Sequence, residues 1–129
     1  MTTAAPHREA LLADQLKRLL GDTAVLAMDY LREHLQWMEL IGGDVLMEQG
    51  EAGDCGYLLL SGRLRIYVRD ADGASRMVRE IGRGEVIGEM SLFTGEPRSA
   101  TVVAVRDSVL VKLDKPRFDG LVALSPLVS

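Results

Sequence analysis

The hydrophobic period of this 129-residue chain changes once, near Leu40. Before that point apolar residues recur every three or four positions, which predicts two short amphipathic helices. Their apolar positions are Leu12, Leu16, Leu19 and Leu20, then Leu26 or Met28, Leu31 and Leu35. Gly21-Asp22 lies between the two groups and supplies a stop followed by an N-cap residue. After Gly42-Gly43 the spacing shortens to that of β-strands, so the chain is predicted to be mainly β with flanking helices.

Short strands with turn residues between them fill the chain after Gly43. The predicted strands are residues 45–49, 56–60, 63–68, 75–81, 85–87, 101–105 and 109–113. Asp72-Gly73 is a hairpin turn signal between two of them. This pattern predicts an antiparallel sandwich or barrel. A last helix is predicted after Asp114, with Lys115 as its cap, Pro116 at its first position, and Phe118, Leu121 and Val122 facing the sheet.

Composition limits the classes of function. A chain with 47% apolar residues has enough of them for one domain with a core. The net charge of -4, the pI near 5.1 and the lack of a Lys/Arg run argue against direct binding of nucleic acid. No apolar run predicts a transmembrane segment, and the first residues lack the apolar core of a signal peptide. The single cysteine, Cys55, suits a reducing compartment, so a cytoplasmic location is predicted.

The segment from Gly84 to Ala100 concentrates groups that bind anions. Gly88 allows a close approach of a ligand to the backbone, and residues 90–93 form about one helical turn whose first N–H groups lack internal partners. Arg98 offers a fork of donors that matches phosphate oxygens, and Ser99 adds a hydroxyl and an N–H. Glu89 does not fit a simple anion site, because phosphate would repel its carboxylate. A ribose hydroxyl that donates to Glu89 would resolve this conflict, so the segment predicts a sugar-phosphate site.

These residues resemble the phosphate-binding cassette of cyclic nucleotide-binding domains. The resemblance lies in Gly88-Glu89-Met90-Ser91-Leu92 and in Pro97-Arg98-Ser99-Ala100, followed by an alternating strand. The upstream runs 50–54 and 57–64 are similar to the first hairpins of that family, so the match covers roughly residues 42–114. The resemblance implies an antiparallel β-roll, or double-stranded jelly roll, with a short cassette helix.

The resemblance also implies a role for each cassette residue. Glu89 would hold the ribose 2′-hydroxyl, and Arg98 would hold an exocyclic phosphate oxygen. The N–H groups of Met90, Ser91 and Ser99 would add phosphate contacts, and Gly88 and Ala100 complete the predicted ligand site. The ligand would be cAMP or cGMP, with no further cofactor and no metal. The family often has threonine after the cassette arginine when guanine is preferred; Ser99 is compatible with either base, and cAMP is the first expectation.

The resemblance further implies a regulatory module with a partner domain. Residues 34–37, 78–85 and 94–107 look closest to the regulatory domains of bacterial patatin-like phospholipases related to neuropathy target esterase. The implied organisation is a helical segment at 1–41, a nucleotide-binding β-roll at 42–114 and the start of a helical segment at 115–129. We expect a linked effector domain beyond Ser129, and we expect the helix that usually covers the base to be absent. A transcription regulator is the alternative parent.

Other functions have weaker support in the sequence. Ser61, Ser91 and Ser99 lie in no Gly-x-Ser-x-Gly elbow, so catalysis within this chain is not expected. Cys55 has no basic neighbour in sequence, which favours a structural thiol over a reactive one. One alternative for the cassette stays open: Glu89 and Arg98 could pair with each other in a β-roll that has lost its ligand and serves as an interaction surface.

Overall fold

The structure is a computed structural model that describes residues 4–32 and 34–124. The leading helices are α1 (Ala4–Leu20) and α2 (Ala24–Arg32), and a 3-10 turn, Gly21–Thr23, joins them. The cassette helix α3 is Met90–Thr94, and α4 is Lys115–Leu124. All four predicted helices are therefore present. None of the helices in the described ranges is long and apolar enough to cross a membrane.

Eight antiparallel strands form two four-stranded sheets. They are β1 (Gln36–Leu40), β2 (Val45–Met47), β3 (Cys55–Ser61), β4 (Leu64–Arg69), β5 (Ser75–Ile81), β6 (Val86–Ile87), β7 (Thr101–Ala104) and β8 (Ser108–Asp114). One sheet has the order β1-β8-β3-β6 and the other has the order β2-β7-β4-β5. The predicted mainly β fold with an antiparallel β-roll is confirmed.

Strand β1 was not predicted. Its residues follow the helical leucines, and the apolar Trp37, Met38 and Leu40 do not by their spacing exclude a helix. Pairing with β8 decides the conformation, because Trp37 lies opposite Val111 and Met38 lies opposite Leu110. The β-sheet therefore begins before residue 42, where the sequence placed the start of the β-roll.

Strand β3 is buried on both faces. Its outward residues Leu58 and Leu60 belong to the core against α1 and α2, which includes Leu12, Leu16 and Leu31. Its inward residues Cys55, Tyr57 and Leu59 belong to a second core between the two sheets. The alternation follows from the two-residue period of a strand. Of the predicted helix positions, Leu19 and Leu26 are exposed, whereas the others on α1 and α2 are buried.

Aspartate side chains accept backbone N–H groups at one hairpin turn and at the start of one helix. The Asp70 carboxylate accepts hydrogen bonds from the backbone N–H groups of Asp72 and Ala74, which builds the predicted hairpin turn between β4 and β5. The Asp114 carboxylate accepts the N–H of Arg117 at 3.0 Å and caps α4, so the cap is Asp114 rather than the predicted Lys115, and the helix begins at Lys115 instead of Pro116. Phe118 and Leu121 pack against the outer core as predicted, together with Leu124 rather than Val122. The predicted helical segment continues to residue 129, and residues 125–129 lie outside the described ranges.

A core truncation on β3 should be costly. Leu59 is 0% exposed between the sheets, so we expect Leu59→Ala to reduce the free energy of unfolding by about 2–5 kcal/mol through lost burial and a cavity. Met77→Ala is the matched control, because Met77 is 50% exposed on β5. Urea unfolding measures both. Equal losses in the two variants would contradict the assigned core.

The turn after β5 has an acid-sensitive contact. Glu85 accepts the Gly82 N–H at 2.8 Å and the Arg79 guanidinium at 2.9 Å. The Gly82 N–H foremost, and then Arg79, hold the pKa of Glu85 below its ordinary value of 4.5. A lowered pKa in the folded state means that the stabilisation is complete above pH 4.5 and is lost as the pH falls through the lowered value.

We therefore expect Glu85→Gln to destabilise the fold at neutral pH and to have little effect in acid. The side chain is partly exposed, so the loss at pH 7 should be below about 1 kcal/mol. The difference from the wild type should shrink below pH 4.5. Urea unfolding over a pH series measures it, with Glu48→Gln as control. A difference that is constant with pH would argue against this contact.

Candidate functional site

The cassette connects the two sheets at one end of the β-roll. Strand β6 leads into it and pairs with β3, with Ile87 opposite Tyr57. Gly88 follows with φ of 78°, a backbone conformation that residues other than glycine rarely adopt. Helix α3 then makes the predicted single turn and ends at Gly95, which is left-handed and donates its N–H to Ser91 O. These local features bring residues 88–91 and 98–100 to the same cavity.

The backbone of Arg98 is anchored to the loop before β3. The Arg98 N–H donates to Glu51 O at 2.8 Å, and the Gly50 N–H donates to Arg98 O at 2.8 Å. These two hydrogen bonds fix the position of the Arg98 backbone, although Arg98 lies in neither a helix nor a strand. The sequence resemblance included residues 50–54, and the structure shows a physical reason for that segment.

The Arg98 side chain is only 5% exposed. Its Nη1 donates to Gly88 O at 2.8 Å, and its Nη2 donates to Cys55 Sγ at 3.5 Å. Its Cζ lies 5.9 Å from the centroid of the Tyr57 ring. A Cβ at Gly53 would lie 2.6 Å from Arg98 Cζ, so a larger residue at that position would have to displace the guanidinium.

The buried guanidinium has no ionic partner within the described part of the chain. No carboxylate oxygen there lies within 4.0 Å of it. Its Nε is buried without a hydrogen-bond partner. Burial of an unpaired charge is costly, which favours an anion as the missing partner. The Glu89–Arg98 ion pair considered from the sequence is not formed.

Glu89 is the second incomplete group. Its Oε2 is buried without a hydrogen-bond partner among the described residues. It is at the N-terminal boundary of α3 and makes no capping hydrogen bond with its side chain. An acceptor of this kind requires a donor, and a hydroxyl group can supply one.

Unpaired backbone donors complete the cassette. In the described structure, the N–H groups of Met90, Ser91, Ser99 and Ala100 have neither a backbone nor a side-chain acceptor. Those of Met90 and Ser91 are free because they begin a helix. The predicted site residues therefore meet as a group: free N–H donors, one buried cation and one unpaired carboxylate.

A cavity of about 190 Å³ lies among these groups. All seven predicted site residues line it, from Gly88 to Ser91 and from Arg98 to Ala100. Apolar residues from the strands, including Met47, Ile66 and Val102, form much of its remaining wall. Such a mixture of apolar walls and a few convergent polar groups is typical of small-molecule sites.

Three residues near the cavity were not predicted from the sequence. Arg79 lines it from the edge strand β5 and is tied to Glu85. Cys55 and Tyr57 contact the Arg98 side chain from β3. Cys55 has no basic neighbour in sequence, but in the folded chain the Arg98 guanidinium lies beside it. In the described ranges, no three His, Cys, Asp or Glu side chains are grouped so that they could hold a metal ion.

Sequence comparisons place the chain among known proteins. The model of the cyclic nucleotide-binding domain matches residues 38–125. Patatin-like phospholipase domain-containing protein 7 of Rattus norvegicus is 47% identical over 79 residues, which are 61% of this chain and 6% of that protein. Lysophospholipase nte1 of Aspergillus terreus is 36% identical over 115 residues, 89% of this chain and 7% of that protein. The chain thus spans less than a tenth of the length of these relatives.

Solved structures with the same fold include proteins with bound cyclic nucleotides. The regulatory domain of Toxoplasma gondii PKA, solved with cAMP, has a TM-score of 0.75 at 26% identity, over 89% of this chain and 44% of that one. The Thermus thermophilus catabolite activator protein has a TM-score of 0.71 at 32% identity, over 88% and 52%. The EAL enzyme Bd1971, solved in cAMP-bound and cGMP-bound forms, has a TM-score of 0.61 at 32% identity, over 68% and 23%.

The sequence match and the fold agree with each other and with the cassette geometry. The matched range contains all eight strands except the first two residues of β1, as well as the whole of α3 and α4. The chain belongs to the family of cyclic nucleotide-binding domains.

Proposed function

We propose that this chain binds a cyclic nucleotide in the cassette cavity, with cAMP preferred over cGMP. The observation that carries the proposal is Arg98, a buried guanidinium without a carboxylate partner. A cyclic phosphate supplies the missing negative charge, and its oxygens accept from Arg98 and from the free N–H groups beside it.

The ribose gives the unpaired carboxylate a role. A 2′-hydroxyl donates to Glu89 Oε2, and this contact separates a ribonucleotide from a bare phosphate. The two charges of the site then act on different parts of one ligand. Glu89 selects the sugar, and Arg98 holds the phosphate.

Ser99 stands where the resembled family often has threonine for guanine and is compatible with either base, so the preference for cAMP is the first expectation to be tested. The similarity to solved structures does not separate the two nucleotides, because the EAL enzyme was solved with each of them. Calorimetry of the chain with cAMP, cGMP and 5′-AMP tests the choice directly. Tighter binding of cGMP would overturn the preference and leave the site assignment intact.

The function of such binding is regulation of a linked effector. Ligand can shift a conformational equilibrium only if it binds two states with different affinity. The relatives that the chain matches are named as phospholipases and are many times longer. We propose a patatin-like esterase as the effector and a cytoplasmic location for the module. A Gly-x-Ser-x-Gly elbow in the remainder of the protein would support this parent, and a recognition helix would support a transcription regulator instead.

One observation favours an alternative function. Gly88 O and Cys55 Sγ already accept two of the Arg98 donors, so the guanidinium is partly satisfied without a ligand. A β-roll of this kind could persist as a protein-interaction domain. Failure of the wild-type chain to bind any of the three nucleotides at millimolar concentration would favour this alternative.

Removal of the phosphate partner should weaken binding strongly. We expect Arg98→Ala to reduce cyclic nucleotide affinity by about 2–5 kcal/mol, which is at least tens of times in Kd. Arg76→Ala on the exposed strand β5 is the control and should bind like the wild type. Calorimetry measures affinity, and circular dichroism verifies that the variant is folded. A folded Arg98→Ala variant with unchanged affinity would refute the role of Arg98.

The role of Glu89 can be tested with a change in the ligand. If Glu89 accepts from the 2′-hydroxyl, the wild type should bind 2′-deoxy-cAMP more weakly than cAMP, by about 1.5–3 kcal/mol for a bond to a charged group. Glu89→Gln should lose most of this discrimination because its amide is a weaker acceptor. Glu48→Gln should retain it. If Glu89→Gln and the wild type discriminated equally between cAMP and 2′-deoxy-cAMP, the 2′-hydroxyl would have to bind a group other than Glu89.

A further inference from the structure

The buried Arg98 guanidinium needs support that does not neutralise it. A carboxylate partner would hold the side chain firmly, but it would also compete with the ligand phosphate for the same charge. The described residues place no carboxylate there. The contacts that remain are a backbone carbonyl, a thiol and an aromatic face.

Two of these contacts come from one strand. Cys55 and Tyr57 are two residues apart on β3 and therefore face the same side of the sheet. The Cys55 thiol accepts from Arg98 Nη2 at 3.5 Å, and the Tyr57 ring lies 5.9 Å from Arg98 Cζ. Both residues are nearly inaccessible, at 3% and 6% exposed, so solvent does not screen these contacts.

The tyrosine stays neutral in this position. Burial foremost, and then the adjoining Cys55 thiol, raise the pKa of the Tyr57 phenol above its ordinary value of 10.0. At neutral pH the Tyr57 ring therefore presents a neutral aromatic face to the guanidinium rather than a phenolate. A cation–π contact can orient a cation and still leave its positive charge available to bind an anion.

We propose that Cys55 and Tyr57 are positioning residues that hold the Arg98 guanidinium ready for an anion without neutralising it. Their effect on nucleotide affinity rests on the proposed function, whereas their effect on Arg98 does not. A role in core packing alone would be satisfied by any apolar side chain of similar volume. A positioning role requires the aromatic face at residue 57 and a hydrogen-bond acceptor at residue 55.

Substitutions that keep or remove these properties separate the two roles. Tyr57→Phe keeps the ring, and Cys55→Ser keeps an acceptor. Tyr57→Leu and Cys55→Ala remove them. Tyr30→Leu is the control for loss of a tyrosine, because the Tyr30 ring packs against Gly120 of α4 and makes no contact with Arg98.

The first readout needs no nucleotide. The Arg98 Nε–H resonance, assigned by its loss in Arg98→Lys, should exchange with solvent at least about 10-fold faster in Tyr57→Leu and Cys55→Ala. Tyr57→Phe, Cys55→Ser and Tyr30→Leu should exchange like the wild type. The backbone amide spectrum shows whether each variant is folded; should Tyr57→Leu unfold, Cys55→Ala decides. Unchanged Arg98 exchange in the folded variants would overturn the proposal even if the nucleotide site is real.

The second readout is affinity for cAMP. We expect Tyr57→Leu to bind about 10-fold more weakly and Cys55→Ala about 5-fold more weakly, whereas the conservative variants stay within about 3-fold of the wild type. In an Arg98→Lys background both losses should largely disappear, since the two residues act through the guanidinium. Full losses in that background would show that they act by another route. A wild-type chain that binds no nucleotide would refute the proposed function, and the exchange experiment would still decide the positioning role.

Discussion

The burial of strand β3 on both faces is the constraint on which the rest of the structure depends. Its outward leucines hold α1 and α2 against the sheet, and its inward residues fill the space between the sheets. The same inward row begins with Cys55 and Tyr57, which contact Arg98. The side chain of the cassette arginine thus contacts the central core, while its backbone is hydrogen-bonded to the loop before β3. Changes in the core and changes in the site should therefore affect each other.

The site places charges where an ordinary core would not tolerate them. Arg98 is buried without a carboxylate, and Glu89 has a buried oxygen without a donor. Each group could have satisfied the other, but the two side chains line the same cavity without forming an ion pair. Buried polar groups without partners raise the free energy of the folded state, and proteins keep them chiefly at sites where a ligand supplies the partners. The binding of a sugar phosphate would also stabilise the fold by mass action, because the unfolded chain has no such arrangement.

Contacts run without a break from the cassette to the leading helices. Phe93 of α3 meets Phe118 of α4 edge-on at 5.5 Å between ring centroids. From α4, Pro116 O accepts the Tyr30 hydroxyl of α2 at 3.0 Å, and Leu124 O accepts the Thr23 hydroxyl at 3.1 Å. A movement of the cassette therefore has a physical path to elements on the opposite side of the sheet.

The sequence by itself determined the local elements and the chemistry of the cassette. Periodicity predicted the helices and most strands, and residue types in positions 88–100 predicted a sugar-phosphate site, because both depend on near neighbours along the chain. Tertiary structure alone decided that Gln36–Leu40 is a strand, since its pairing partner β8 is about 70 residues away. It also decided which groups surround Arg98. Cys55 and Tyr57 precede the arginine by some 40 residues, and no local pattern indicates that distant segments will enclose one buried charge.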